Sequence, residues 1–141
     1  MARILTAFME PAYALLRIFA GLLFSFHGMQ KIFGWFVDPQ YPMTNLKPQM
    51  VVGGYIELVC GLLMAIGFFT RSAAFLASGT MAVAYVQFHW MHEGHLRFDS
   101  NFFPIVNHGE PALINAFLFL YIACRGAGIW SIDRAREHDL A

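Results

Sequence analysis

Charged residues are scarce in this chain. They make up 13% of its 141 residues, and nine Lys/Arg cancel nine Asp/Glu, where ordinary domains carry about 25% charged residues. With no net basic field to gather phosphates, nucleic acid is excluded as a partner. Cysteine is nearly absent: Cys60 and Cys124 stand alone, with no CxxC pair and no CxxCH run. That excludes a disulfide framework and covalently attached haem. The polar stripe expected on a soluble core helix is missing too, as in Ala73-Ala74-Phe75-Leu76-Ala77 and Ala116-Phe117-Leu118-Phe119-Leu120-Tyr121-Ile122, which are apolar all round as lipid-facing helices are.

What remains is 58% hydrophobic, in a length that suits a single domain over residues 1–141. A membrane span needs about 20 mainly apolar residues at about 1.5 Å rise each. Charge spacing gives four such windows: Glu10 to Lys31, Lys47 to Arg71, Arg71 to Glu93, and Glu110 to Arg134. Helices are expected near 12–34, 50–69, 72–91 and 110–129, an all-α transmembrane four-helix bundle running up-down-up-down. Glu10, Pro11 and Arg17 interrupt the start and no A-x-A site follows, so the first helix is expected to stay in the membrane.

Phe69-Thr70-Arg71-Ser72 reads as a tight hairpin, and the longer links, about 35–49 and 92–109, lie on the opposite side. Arg3, Arg17, Arg71, Arg125, Arg134 and Arg136 fall on the side of the termini, against Lys31, Lys47 and Arg97 opposite. The positive-inside rule then puts both termini in the cytoplasm. Arg17 is expected to snorkel to the inner headgroups. Trp35, Trp90 and Trp130 mark expected helix ends, where amphipathic rings prefer the headgroup level.

The remaining polar groups gather at the other end. His27 and Glu57 each fall about 10 Å inside the outer end of their helices. His27 and Lys31 share one helix face, as do Gly53, Glu57 and Gly61, small residues that admit a neighbouring helix. Tyr85, His89 and His92 form another face, and the fourth helix opens through Asn107-His108-Gly109-Glu110-Pro111, where Asn107 and Glu110 also suit a capping role. Ionisable residues inside a bilayer are costly and point to a site by default. Glu57, His27 and Lys31 are the candidate proton-handling set, with Tyr85, His89, Asn107 and Glu110 as further ligand contacts. His89, His92 and His27 are candidate metal ligands. The bland alternative is that Glu57 is simply neutralised by His27 or Lys31 and the polar residues hold helices together.

These residues carry a resemblance. His27-Gly28-Met29-Gln30-Lys31-Ile32-Phe33-Gly34-Trp35-Phe36 is similar to the HG-x-x-K-x-FGWF signature of the DoxX family of small bacterial membrane proteins. Glu57 with Gly61, the Gly67-Phe68-Phe69-Thr70-Arg71 turn, and the ending Gly126-Ala127-Gly128-Ile129-Trp130-Ser131-Ile132-Asp133 resemble further elements of it, with Trp130 where Leu is usual. The likeness runs from about residue 13 to 134. It implies a four-helix protein of the bacterial inner membrane tied to redox complexes, after the quinone-linked oxidoreductase subunit that names the family.

Three functions compete on this reading. The first is a small subunit of a membrane oxidoreductase complex, with a quinone head group held by His27 or Lys31 and its proton handled by Glu57. No haem or flavin motif is visible, so electrons would need a redox partner protein. The second is a carrier or binding protein for a small molecule or metal. The third is a scaffold, associating with partners or with copies of itself, in which the cluster only packs helices together.

Overall fold

Helix stop signals in the sequence set the architecture. The computed structural model describes residues 2–40 and 46–139; the expected outer link over 35–49 therefore falls partly, at 41–45, outside the described residues. A short α1 (Ala2–Ala7) leads into α2 (Met9–Phe33), which Gly34 ends in the left-handed conformation. Helix α3 (Pro48–Ile66) opens on a proline, whose fixed φ suits a first turn, and closes on Gly67. There Gly67 N–H bonds to the Met64 carbonyl and Phe68 N–H to that of Leu63, a Schellman closure that needs the left-handed residue glycine supplies. Helix α4 (Thr70–Ala84) continues without a break into a π-helical turn, Tyr85–Trp90. A two-residue hairpin follows, β1 (Met91–His92) antiparallel to β2 (His95–Leu96), then a 3-10 turn at Ser100–Phe102, α5 (Pro104–Asn107), α6 (Glu110–Arg125) and α7 (Ile132–Asp139). The four expected helices are present, with ends shifted by up to four residues.

Helices α2 and α3 pack through glycines. A Cβ on Gly21 would lie 2.6 Å from the Gly61 carbonyl oxygen, and one on Gly28 would lie 2.4 Å from Leu58 N, so the two backbones touch at both levels. The row differs from the expected one by a residue: Gly54 faces α2, while Gly53 has open space. Helix α6 packs on α4 and meets α2 through aromatic side chains, with Phe119 against Phe24 at 4.7 Å between centroids and Tyr121 edge-on to Tyr13. Ala73, Ala74 and Ala77 of α4, Met64 of α3 and Ile122 of α6 complete the core. Large apolar side chains face outward as well, among them Phe26, Val59, Leu62, Ile114 and Phe117. Among the described residues, α2 and α3 have the length and apolar composition to cross a membrane; α6, at 16 residues, is shorter.

Arg17 departs from expectation. Its side chain does not snorkel; the residue is 0% exposed. One guanidinium nitrogen donates to the carbonyls of Met64 (2.5 Å) and Ala65 (2.9 Å), and the other to those of Ile129 (3.3 Å) and Trp130 (2.8 Å). The last carbonyls of a helix have no intrahelical partners and carry partial negative charge. A guanidinium with five donors reaches two of them at the end of α3 together with two carbonyls of the segment before α7, which makes burial more favourable than a reach to the headgroups. Arg71 does the same for α6, donating to the carbonyls of Ala123, Cys124 and Arg125. Arg125 pairs with Glu10, and the Tyr13 hydroxyl donates to the Gly126 carbonyl.

The C-terminal segment is docked onto the α3–α4 turn. Phe69 N–H and Thr70 N–H donate to the two carboxylate oxygens of Asp133, each at 2.9 Å, and Asp133 N–H returns to the Gly67 carbonyl. The aspartate thus caps α4 from 63 positions away. Gly67 cannot be replaced there, because a Cβ would lie 2.3 Å from that of Ser131 and its φ is +71°.

Two outcomes follow. Arg17→Met should lower the unfolding free energy by about 3–5 kcal/mol, the usual cost of orphaning buried polar partners, with Arg17→Lys recovering only part, as read by denaturant unfolding in detergent. For Asp133, burial pushes the carboxyl pKa up, but the two backbone N–H groups and the Arg136 charge outweigh it and hold it below the ordinary carboxylate value. Its stabilisation is therefore complete above that ordinary value and lost as pH falls through the depressed one. Acid titration of thermal stability should show this limb in the native chain and a flatter one in Asp133→Asn.

Candidate functional site

Glu57 lies one turn beyond Gly54 on α3, and both are buried against the last turns of α2. The missing Cβ of Gly54 leaves the slot along which the Lys31 stem runs: a Cβ there would lie 2.9 Å from that of Lys31. The ammonium then reaches the carboxylate, Lys31 Nζ donating to Glu57 Oε1 at 2.5 Å. Glu57 is 3% exposed. Its other oxygen, Oε2, is buried with no hydrogen-bond partner among the described residues. Such an atom carries the full desolvation penalty unless something donates to it.

The carboxylate lines a cavity of about 1290 Å³ between α2, α3, α4 and α6. Apart from Thr80 in the middle of α4, its polar lining comes from one end: His27 and Lys31 at the close of α2, Gln49 and Glu57 early in α3, Gln87 and His89 in the π-helical turn, and His108 and Asn115 around the start of α6. Apolar residues line the rest, including Leu16, Phe19 and Leu23 of α2 and Phe75, Leu76 and Val83 of α4. Along α2 this lining extends from Ala12 to Lys31, about 28 Å at about 1.5 Å per residue. The arrangement fits an amphipathic molecule with a small polar head and a long apolar tail.

The structure gathers some of the expected site residues and separates others. His27, Lys31, Glu57 and His89 line one cavity, and it is Lys31, not the exposed His27, that pairs with Glu57. Tyr85 is buried behind the cavity, its ring stacked on His89 and seated where Gly109 has no side chain. Asn107 accepts His89 Nδ1 at its carbonyl (3.0 Å), while its side chain bonds Gly109 N and the Asn101 carbonyl. Tyr85 and Asn107 thus position His89 without lining the cavity. Glu110 is exposed in the first turn of α6, and His92 is exposed on β1. Among the described residues no three His, Cys, Asp or Glu side chains converge to hold a metal ion, so His89, His92 and His27 do not form a ligand set.

Three polar lining residues escaped the sequence reading, Gln49, Gln87 and Asn115, and His108, which that reading leaves to solvent in the outer loop, lines the cavity as well. Asn115 was visible as a lone amide within an apolar run. Gln87 was not, because the π-helical turn alters which residues share a face with those before it. In the segment after β2, Asn101 N–H and the Arg97 guanidinium hold the exposed Asp99 carboxyl below the ordinary carboxylate value.

Comparison with known proteins follows the same residues. The DoxX family model matches residues 12–90, which include His27, Lys31, Glu57 and His89 and stop short of Asp133. A protein of Haemophilus influenzae (strain ATCC 51907 / DSM 11121 / KW20 / Rd), described as uncharacterized, is 40% identical over 125 residues, covering 85% of this chain and 87% of its own. No solved structure matches.

The half-paired carboxylate can be tested by itself. Lys31→Met should destabilise the protein by about 3–5 kcal/mol by leaving a buried charge uncompensated, and adding Glu57→Gln should restore much of the loss. A double-mutant cycle of unfolding free energies measures that coupling.

Proposed function

Because the chain belongs to the DoxX family, we propose that it is a multi-pass protein of the bacterial inner membrane that binds a quinone head group as a small subunit of an oxidoreductase complex. In this reading α2, α3, α4 with its π-helical turn, and α6 cross the bilayer up-down-up-down as a four-helix bundle. The arginine-rich end, with both termini, faces the cytoplasm in accord with the positive-inside rule. The observation that carries the function is Glu57, which lines a large amphipathic cavity and whose Oε2 is buried without a hydrogen-bond partner.

A quinol suits that atom. Its ring hydroxyl donates to the free carboxylate oxygen, and Lys31 balances the charge until Glu57 takes the proton. His27 and Lys31 offer donors to a quinone carbonyl, and the apolar length of the cavity suits an isoprenoid tail, since about 28 Å along α2 is close to the roughly 30 Å thickness of the hydrocarbon core. Oxidation of a quinol to the quinone releases two electrons and two protons. The electrons pass to a redox partner protein, because the sequence carries neither a CxxCH run nor a flavin motif; Glu57 receives one proton and the second is released to bulk water.

The test is binding of a short-tailed benzoquinol to the purified chain in nanodiscs. Glu57→Gln should weaken binding by about 10- to 100-fold, the worth of a charged hydrogen bond, with quinone recovered by solvent extraction of the native protein. Unchanged binding in Glu57→Gln, with only its melting temperature lowered, would contradict the proposal and leave a scaffold role. Metal found by elemental analysis in stoichiometric amount, without quinone, would favour a metal-binding carrier.

A further inference from the structure

At the opposite end from Glu57 lies a second hollow, of about 540 Å³, lined by Phe69, Thr70, Arg71, Ser72, residues 125–128 and one face of α7. Four guanidiniums border it, those of Arg71, Arg125, Arg134 and Arg136, against the carboxylates of Asp133 and Glu137. Their commitments differ. Arg71 is spent on the α6 carbonyls, Arg125 on Glu10 and Tyr121, and Asp133 on the N–H groups of Phe69 and Thr70. Arg134 and Arg136 are exposed, and neither has a carboxylate partner within ion-pair distance among the described residues. Arg136 rests 5.7 Å from the centroid of the Phe68 ring.

We propose that this hollow binds the phosphodiester head of an anionic phospholipid. Two exposed guanidiniums without an ion-pair partner, over a concave surface, match phosphate oxygens in charge and in hydrogen-bond geometry. The surroundings select a lipid over a soluble phosphate. Phe69, Trp130 and Ile132 are 58%, 59% and 42% exposed, and Phe69 itself lines the hollow. Acyl chains attached to the head would cover that apolar surface, which a free phosphate leaves bare. Basic pockets at the cytoplasmic ends of membrane helices bind acidic lipids on the same physics.

Trp130 is the reporter. The chain is placed in nanodiscs of equal phosphatidylglycerol and phosphatidylcholine, with brominated acyl chains on one lipid or the other. Quenching lost in Trp130→Phe is assigned to Trp130. Brominated phosphatidylglycerol should quench this share more strongly, with about a five-fold local preference for each arginine at low ionic strength. Arg134→Gln with Arg136→Gln should abolish the preference, and the paired lysine variant should keep part of it. Equal quenching by the two lipids, or a preference that survives the glutamine pair, overturns the proposal. A preference erased by excess inorganic phosphate at constant ionic strength assigns the hollow to soluble phosphate and overturns the lipid.

Discussion

A polar or charged atom buried among apolar helices needs a partner, because neither a hydrocarbon environment nor a packed core supplies the hydrogen bonds of water. The arrangement of this chain follows from how that requirement is met at its two ends. At the arginine end, helix-terminal carbonyls and turn N–H groups are the needy atoms. Arg17 and Arg71 donate to the carbonyls, and Asp133 accepts from the N–H groups. At the Glu57 end the requirement is met by half: Lys31 takes one carboxylate oxygen and the other is buried unpartnered in a residue that lines the cavity. The arginine end keeps two buried atoms without partners, Arg17 Nε and Thr70 Oγ1, but the unpartnered atom of the other end belongs to a residue that lines a large cavity, and the functional reading depends on that difference.

The glycine seam makes both ends possible. Gly21 against Gly61 and Gly28 against Leu58 hold α2 and α3 in backbone contact, so Lys31 needs only the slot over Gly54 to reach Glu57, and Arg17 reaches the last carbonyls of α3 from the level of the core. The close pair α2–α3 then leaves space between itself and the face of α4, where the cavity lies. Small residues on one seam and large ones along the cavity thus divide the labour: the seam fixes the charged groups and the open side admits the ligand.

Much of this was legible beforehand. The four helices follow from charge spacing because a charge inside a long apolar helix is costly and therefore rare. The pairing of Glu57 at the level of His27 and Lys31 follows from rise per residue, since a straight helix converts sequence distance into depth. Three things were not legible. Arg17 sits near a helix end, where snorkelling and capping of a neighbouring helix look alike in sequence; only the position of the Met64 and Ala65 carbonyls decides between them. Gly53 and Gly54 are adjacent, and the choice of which faces α2 turns on about 100° of helix rotation. The seating of Tyr85 against Gly109 and of Asn107 against His89 depends on the π-helical turn, which no residue spacing announces.

The central claim is that the open oxygen of Glu57 receives a donor from a ligand lying in the cavity. A cryo-electron microscopy structure of the protein in lipid nanodiscs with added quinol tests it most directly. The account predicts density for a ring with one hydroxyl oxygen within about 3 Å of Glu57 Oε2 and a tail descending between α2 and α4. A cavity filled by protein side chains or lipid chains, with Glu57 Oε2 bonded to water or to His27 and the quinol elsewhere, would contradict it.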